Sequence, residues 1–97
     1  MEFTGKVAIV TGGGSGIGET IAQVFAREGA DIVVGDVNLA SAEKVIEEIA
    51  RTGKKGMAVK MDVSLKVDVD RLADETLRAF GKIDILVNNA GIWKRGT

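Results

Sequence analysis

At 97 residues the chain has room for at most one small domain, and 45 % hydrophobic residues are enough to give it a core. Thirteen basic against fourteen acidic residues leave a net charge of −1, which argues against a nucleic-acid surface or a basic membrane patch. Cysteine, histidine, tyrosine and proline are all absent, so disulfide and thiolate chemistry are excluded and two common acid–base side chains are missing.

Met1-Glu2-Phe3-Thr4-Gly5 lacks the basic start and apolar centre of a signal peptide. No apolar run approaches the length of a membrane span, and there is no internal repeat. The expectation is a cytoplasmic protein that works without a membrane and without nucleic acid.

The first predicted strand covers residues 6–10, through the apolar run Val7-Ala8-Ile9-Val10. It leads into Thr11-Gly12-Gly13-Gly14-Ser15-Gly16-Ile17-Gly18 and then into an amphipathic pattern, Ile17, Ile21, Val24, Phe25, which predicts a helix over residues 17–28 stopped by Gly29. A glycine-rich turn between strand and helix suits a phosphate: glycine tolerates positive φ and admits an anion close to the backbone, and the helix start adds unpaired N–H groups and the positive end of its dipole. The pattern G-x-x-x-x-G-K-[ST] nearly fits residues 13–20, but Glu19 stands where the lysine must be and would repel a triphosphate. G-x-G-x-x-G fails in every register. T-G-x-x-x-G-x-G fits, through Thr11, Gly12, Gly16 and Gly18. The plain alternative is a flexible glycine turn.

A second strand is expected over residues 31–35, closed by Asp36, and Asn38 is placed to cap the helix that follows. That helix has Leu39, Ala42, Val45, Ile46 and Ile49 on one face. Its charged face sets Glu47 and Arg51 at a favourable i, i+4 spacing, and Gly53 stops it. The third strand covers about residues 56–61 and ends at Asp62-Val63. Ser64 or Asp68 caps a third helix striped with Val69, Leu72, Thr76, Leu77 and Phe80 and ended by Gly81. The fourth strand, residues 83–87, reads as buried on both faces through Ile85-Leu86-Val87, and Asn88-Asn89-Ala90-Gly91 follows it. Trp93 in the tail reads either as packing or as part of a substrate loop.

The order is β-α-β-α-β-α-β, an α/β chain with a parallel sheet and helices on both faces. Right-handed crossovers with the first strand in the middle give the strand order 3-2-1-4, with helices one and two on one face and helix three on the other. The reversal opens a crevice at the C-terminal ends of strands one and four, where such folds take ligands. The glycine turn and Asn88-Asn89 both fall there.

Asp36 lies 24 residues after Gly12, placed to accept from both hydroxyls of an adenosine ribose; the alternative is an acid that merely closes a strand. A 2′-phosphate would meet a like charge at Asp36, and Ser15 and Val37 beside it are neutral, so NAD is expected over NADP. The Asp62 carboxylate can accept from the adenine amino group and the Val63 N–H can donate to the ring; the alternative is a strand-end acid, solvated or capping the next turn. Asn88 and Asn89 either position something at the crevice or form an ordinary turn.

Thr11-Gly12-x-x-x-Gly16-x-Gly18, Asp62-Val63 and Asn88-Asn89-Ala90-Gly91 together resemble the cofactor half of the short-chain dehydrogenases/reductases, over essentially the whole chain. The resemblance implies a Rossmann-like fold, truncated relative to the family's full domain, with residues 1–97 as its N-terminal dinucleotide-binding part. It implies that Gly12, Gly14, Ser15, Gly16, Ile17 and Gly18 cradle the pyrophosphate of NAD, that Asp36 holds the ribose and Asp62 and Val63 the adenine, and that Asn89, Ala90 and Gly91 line the cofactor. It implies an oxidoreductase acting on an alcohol or ketone, as a homo-oligomer. The family's chemistry needs a serine and a Tyr-x-x-x-Lys pair beyond that turn. This sequence runs six residues past it and has no tyrosine, so no catalytic residue is assigned and the chain alone is expected to be inactive. The competing reading is an inert nucleotide-binding module or an engineered Rossmann fragment.

Overall fold

The computed structural model describes residues 2–12, 14 and 16–89. They form β1 (Val7–Thr11), α1 (Gly16–Arg27), β2 (Asp31–Asp36), α2 (Leu39–Ala50), β3 (Gly56–Lys60), α3 (Lys66–Phe80) and β4 (Ile85–Asn88). The four strands make one sheet in the order β3-β2-β1-β4, every pair parallel. Thr11 stands beside Gly35 on one side and Asn88 on the other, so the ends of three strands meet at one level.

Alternation along the strands divides the core in two. Ala8, Val10, Ile32 and Val34 face α1 and α2, meeting Ala22 and Ala26 of α1 and Ala42, Val45 and Ile49 of α2. The alanines let both helices lie close to the sheet, and each fully buried valine or isoleucine contributes about 1.5–3 kcal/mol. Ile9, Val33, Val59 and Met61 face the other way, against Leu72 of α3. One face thus carries two helices and the other carries one, as the crossover rule requires.

The helix ends follow local chemistry. Asn38 caps α2, its side chain accepting from the Ser41 N–H at 3.1 Å. Gly81 ends α3 at φ +83°, its N–H donating to the Leu77 carbonyl. The start of α3 departs from expectation: neither Ser64 nor Asp68 is its cap. Leu65 occupies that position with no side-chain bond, because Ser64 turns back to Asp62 and Asp68 lies inside the first turn. Glu47 and Arg51 form no ion pair; the pairs among the described residues are Lys66–Asp70, Arg71–Asp68, Arg71–Glu75 and Lys82–Asp84.

β4 also departs from its apolar appearance. It begins at Ile85, and Leu86 is 61 % exposed. Leu86 pairs with Ile9 and therefore shares the α3 face, where α3 buries only Leu72 and Thr76 and leaves Val69 and Leu77 partly in solvent. One helix cannot cover that face as far as the β4 edge.

Candidate functional site

The site is built around the end of β1. Thr11 is 4 % exposed, and its hydroxyl donates to Asn88 Oδ1 at 3.0 Å, joining β1 to β4 where the strand order reverses. Gly12 follows at φ +68°, its N–H donating to the Gly35 carbonyl at 2.7 Å and its carbonyl accepting from Asn89 Nδ2 at 3.3 Å. At Gly18 a Cβ would run into the Gly12 carbonyl and stand 2.9 Å from Asn89 Nδ2. Glycine is therefore what allows the first turn of α1 to press against the end of β1. Gly16 takes φ +60° with open space on its Cβ side. The N–H groups of this first turn of α1, which begins at Gly16, lack intrahelical partners and carry the positive end of the dipole.

Across the mouth, Asp36 ends β2. Its Oδ2 accepts from the Gly14 N–H at 3.0 Å and its Oδ1 from the Asn38 N–H at 2.9 Å. A carboxylate has about four acceptor sites, so capacity remains. Gly14 is packed close here: a Cβ would lie 2.7 Å from Asp36 Oδ2 and 2.9 Å from Ser41 Cβ.

β3 supplies the far wall. Asp62 Oδ1 accepts from Ser64 twice, from the N–H at 2.9 Å and the hydroxyl at 2.7 Å. These bonds, the hydroxyl first, hold the Asp62 carboxyl below the usual carboxylate range and leave Oδ2 without a protein partner among the described residues. The Val63 N–H is likewise unbonded among them. A cavity of about 220 Å³ lies between Gly12, Asp36, Val37, Asp62 and Val63. One free acceptor and one free donor thus lie on the same wall.

Gly12, Gly14, Gly16, Ile17, Gly18, Asp36, Asp62, Val63 and Asn89 thus converge at one end of the sheet. Ser15, Ala90 and Gly91, with Gly13 and Trp93, lie outside the described residues. Two features were not expected. The Thr11–Asn88 bond joins residues 77 apart, and no local pattern announces it. Arg71 donates from Nη2 to the Lys60 carbonyl at 2.8 Å, a contact that no motif in the sequence marks. No helix among the described residues is long and apolar enough to cross a membrane.

Known proteins resemble the chain over most of its length. The chain is 44 % identical over 91 residues to 7alpha-hydroxysteroid dehydrogenase of Escherichia coli (strain K12), covering 94 % of this chain and 36 % of that protein. It is 50 % identical over 94 residues to hydroxynaphthalene reductase-like protein Arp2 of Metarhizium robertsii, covering 93 % and 34 %. A solved structure of 7alpha-hydroxysteroid dehydrogenase complexed with NADH and 7-oxo glycochenodeoxycholic acid superposes with a TM-score of 0.90 at 44 % identity, over 93 % of this chain and 35 % of that one. The chain thus spans about a third of the length of the curated relatives it matches. The family model for short chain dehydrogenases matches residues 6–97, and the chain belongs to that family.

Proposed function

We propose that residues 1–97 are the N-terminal, NAD-binding part of a single Rossmann domain in an oxidoreductase that moves a hydride between an alcohol or carbonyl substrate and nicotinamide. The observation that carries this reading is the Asp36 carboxylate facing the glycine loop, hydrogen-bonded to Gly14, on a cavity whose other wall is Asp62-Val63.

The residues fit the cofactor on steric grounds: the turn has no Cβ at positions 12, 14, 16 and 18, and at 14 and 18 one would collide with the protein. Gly12, Gly14, Ser15, Gly16, Ile17 and Gly18 hold the pyrophosphate against the start of α1. Asp36 accepts from the ribose hydroxyls, Asp62 and Val63 meet the adenine, and Asn89, Ala90 and Gly91 line the path towards nicotinamide. When bound, the cofactor supplies the hydride chemistry. The protein groups named here bind and orient it. The proton for a developing alkoxide has no donor among histidines or tyrosines of this sequence, which has neither, so the 97-residue chain alone is inactive. A cytoplasmic homo-oligomer is the setting that accompanies this reading.

The test is a calorimetric titration of NAD and NADP into the parent chain, Asp36→Ala and Asp36→Asn. Two unit charges 4 Å apart interact by about 4 kcal/mol at an effective dielectric of 20. Solvent and salt at the mouth reduce this to roughly 1–3 kcal/mol, or about 5- to 150-fold in favour of NAD. Asp36→Asn removes the charge and keeps one oxygen, which can accept from either the Gly14 or the Asn38 N–H but not both, so it loosens the loop less than Asp36→Ala while abolishing the repulsion. Adding Val37→Arg to Asp36→Ala shifts the ratio further towards NADP. Equal affinity of the parent chain for both cofactors contradicts the reading.

A further inference from the structure

The wall formed by residues 60–62 is tied down one peptide group at a time. The Lys60 carbonyl accepts from Arg71 Nη2 at 2.8 Å. The Met61 N–H donates to the Asp36 carbonyl at 3.0 Å, and the Met61 side chain is buried beside Leu72. The Asp62 N–H donates to Asp68 Oδ2 at 3.0 Å. Arg71 and Asp68 are themselves joined, Nη2 to Oδ1, at 3.4 Å. The first turns of α3 therefore grip the main chain at the end of β3 by one carbonyl and one N–H.

We propose that Asp68 and Arg71 are positioning residues for the adenine end of the dinucleotide site, an inference that rests on the reading of Asp62 and Val63 given above. Neither touches the cavity. They act by fixing the backbone from which the Asp62 carboxylate and the Val63 N–H project, while Ser64 fixes the Asp62 rotamer. Their mutual ion pair contributes little stability of its own. The Arg71 side chain is 43 % exposed and that of Asp68 23 %, and ion pairs this open to water add little to stability. The bond from the Asp62 N–H to a carboxylate is charge-assisted and directional, and what it determines is where the wall stands.

The test compares NADH with its hypoxanthine analogue, in which the amino group becomes a carbonyl and the ring nitrogen carries a hydrogen, so that both contacts to the wall are reversed. Binding to the full chain is measured for the parent, Asp62→Asn, Asp68→Ala, Asp68→Asn and Arg71→Met, with the melting temperature of each free protein. The parent prefers the adenine form, and Asp62→Asn loses that preference. Asp68→Ala and Arg71→Met bind NADH about five- to tenfold more weakly, with a reduced preference for adenine and a melting temperature within about 4 °C of the parent. Asp68→Asn retains an oxygen for the Asp62 N–H and recovers most of the preference. If Asp62→Asn loses the preference and Asp68→Ala and Arg71→Met keep it, the positioning role is overturned and the adenine reading stands. No preference in the parent overturns both. Failure of Asp68→Ala to fold, or an affinity loss that only tracks melting and is not recovered in Asp68→Asn, reduces the pair to scaffolding.

Discussion

Replacing Gly18 by alanine tests the junction on which the site depends. The added Cβ overlaps the Gly12 carbonyl oxygen and lies 2.8 Å from the Gly12 carbonyl carbon and 2.9 Å from Asn89 Nδ2. Gly12 has little freedom to retreat, because its N–H is bonded to the Gly35 carbonyl at 2.7 Å and its backbone sits at φ +68°. Either α1 shifts away from the end of β1, or Asn89 gives up its bond to the Gly12 carbonyl. Overpacking of this kind costs about 1–3 kcal/mol and the lost hydrogen bond about 0.5–1.5, while alanine returns about 0.8–1 in helix propensity. The net is a loss of about 2 kcal/mol, or about 8–16 °C in melting temperature for a chain of this size. Urea unfolding followed by circular dichroism measures it, with the m-value expected to stay constant. A variant unfolding at the parent's urea midpoint refutes the claim that α1 and β1 are packed to contact here.

At the opposite end of the sheet, the Asp84 carboxylate accepts from the Val7 N–H at 2.8 Å; that bond first, and the Lys82 ammonium after it, holds its carboxyl below the usual range. The folded pKa lies under the unfolded one, so the contribution is complete above about pH 4 and is lost as pH falls towards the folded value. Asp84→Asn flattens the acid limb of a stability–pH curve, leaving the part due to Asp62, which is shifted in the same direction; an unchanged limb refutes the assignment. Leu86, exposed beside the open edge of β4, drives self-association of the chain at micromolar concentration. Leu86→Lys raises the monomer fraction in light scattering, and a monomeric parent contradicts this. The chain alone oxidises no NADH with a panel of ketones; activity that co-purifies with it and falls in Asp36→Ala contradicts the account.

Much of the fold was legible because the signals were local. The continuous apolar run Ile32-Val33-Val34 read as a strand covered on both faces, and it is one, while glycines at 29, 53 and 81 punctuated the helices. The crossover rule, with the first strand placed in the middle, then gave the order 3-2-1-4 that the sheet shows, and Asn38 and Gly81 cap their helices as their types suggest. The misreadings share a cause. Leu86 looks like its buried neighbours, but its exposure depends on how far α3 reaches, which is a tertiary matter. Ser64 and Asp68 are good capping types, yet each found another partner two and six residues away, at Asp62. Asp84 to Val7, Asn88 to Thr11 and Arg71 to Lys60 bring together chemistry that spacing does not encode. In the candidate site, the glycines stood out because positions 12 and 16 take positive φ and positions 14 and 18 leave no room for a Cβ, while Asp36 was singled out by its spacing alone. The supports behind them were not, since a surface arginine or aspartate carries no mark of what it holds.

Bound as proposed, a dinucleotide lies across Gly12, Asp36 and Val63. Amide chemical-shift mapping of the 97-residue chain during titration with NADH tests this most directly. Saturable shifts are expected, largest at Gly12, Gly14, Gly16, Asp36 and Val63 and weakened throughout by Asp36→Ala. Shifts centred instead on the groove between α1 and α2, around Gln23, Arg27, Glu48 and Thr52, with the glycine turn unmoved, would contradict it.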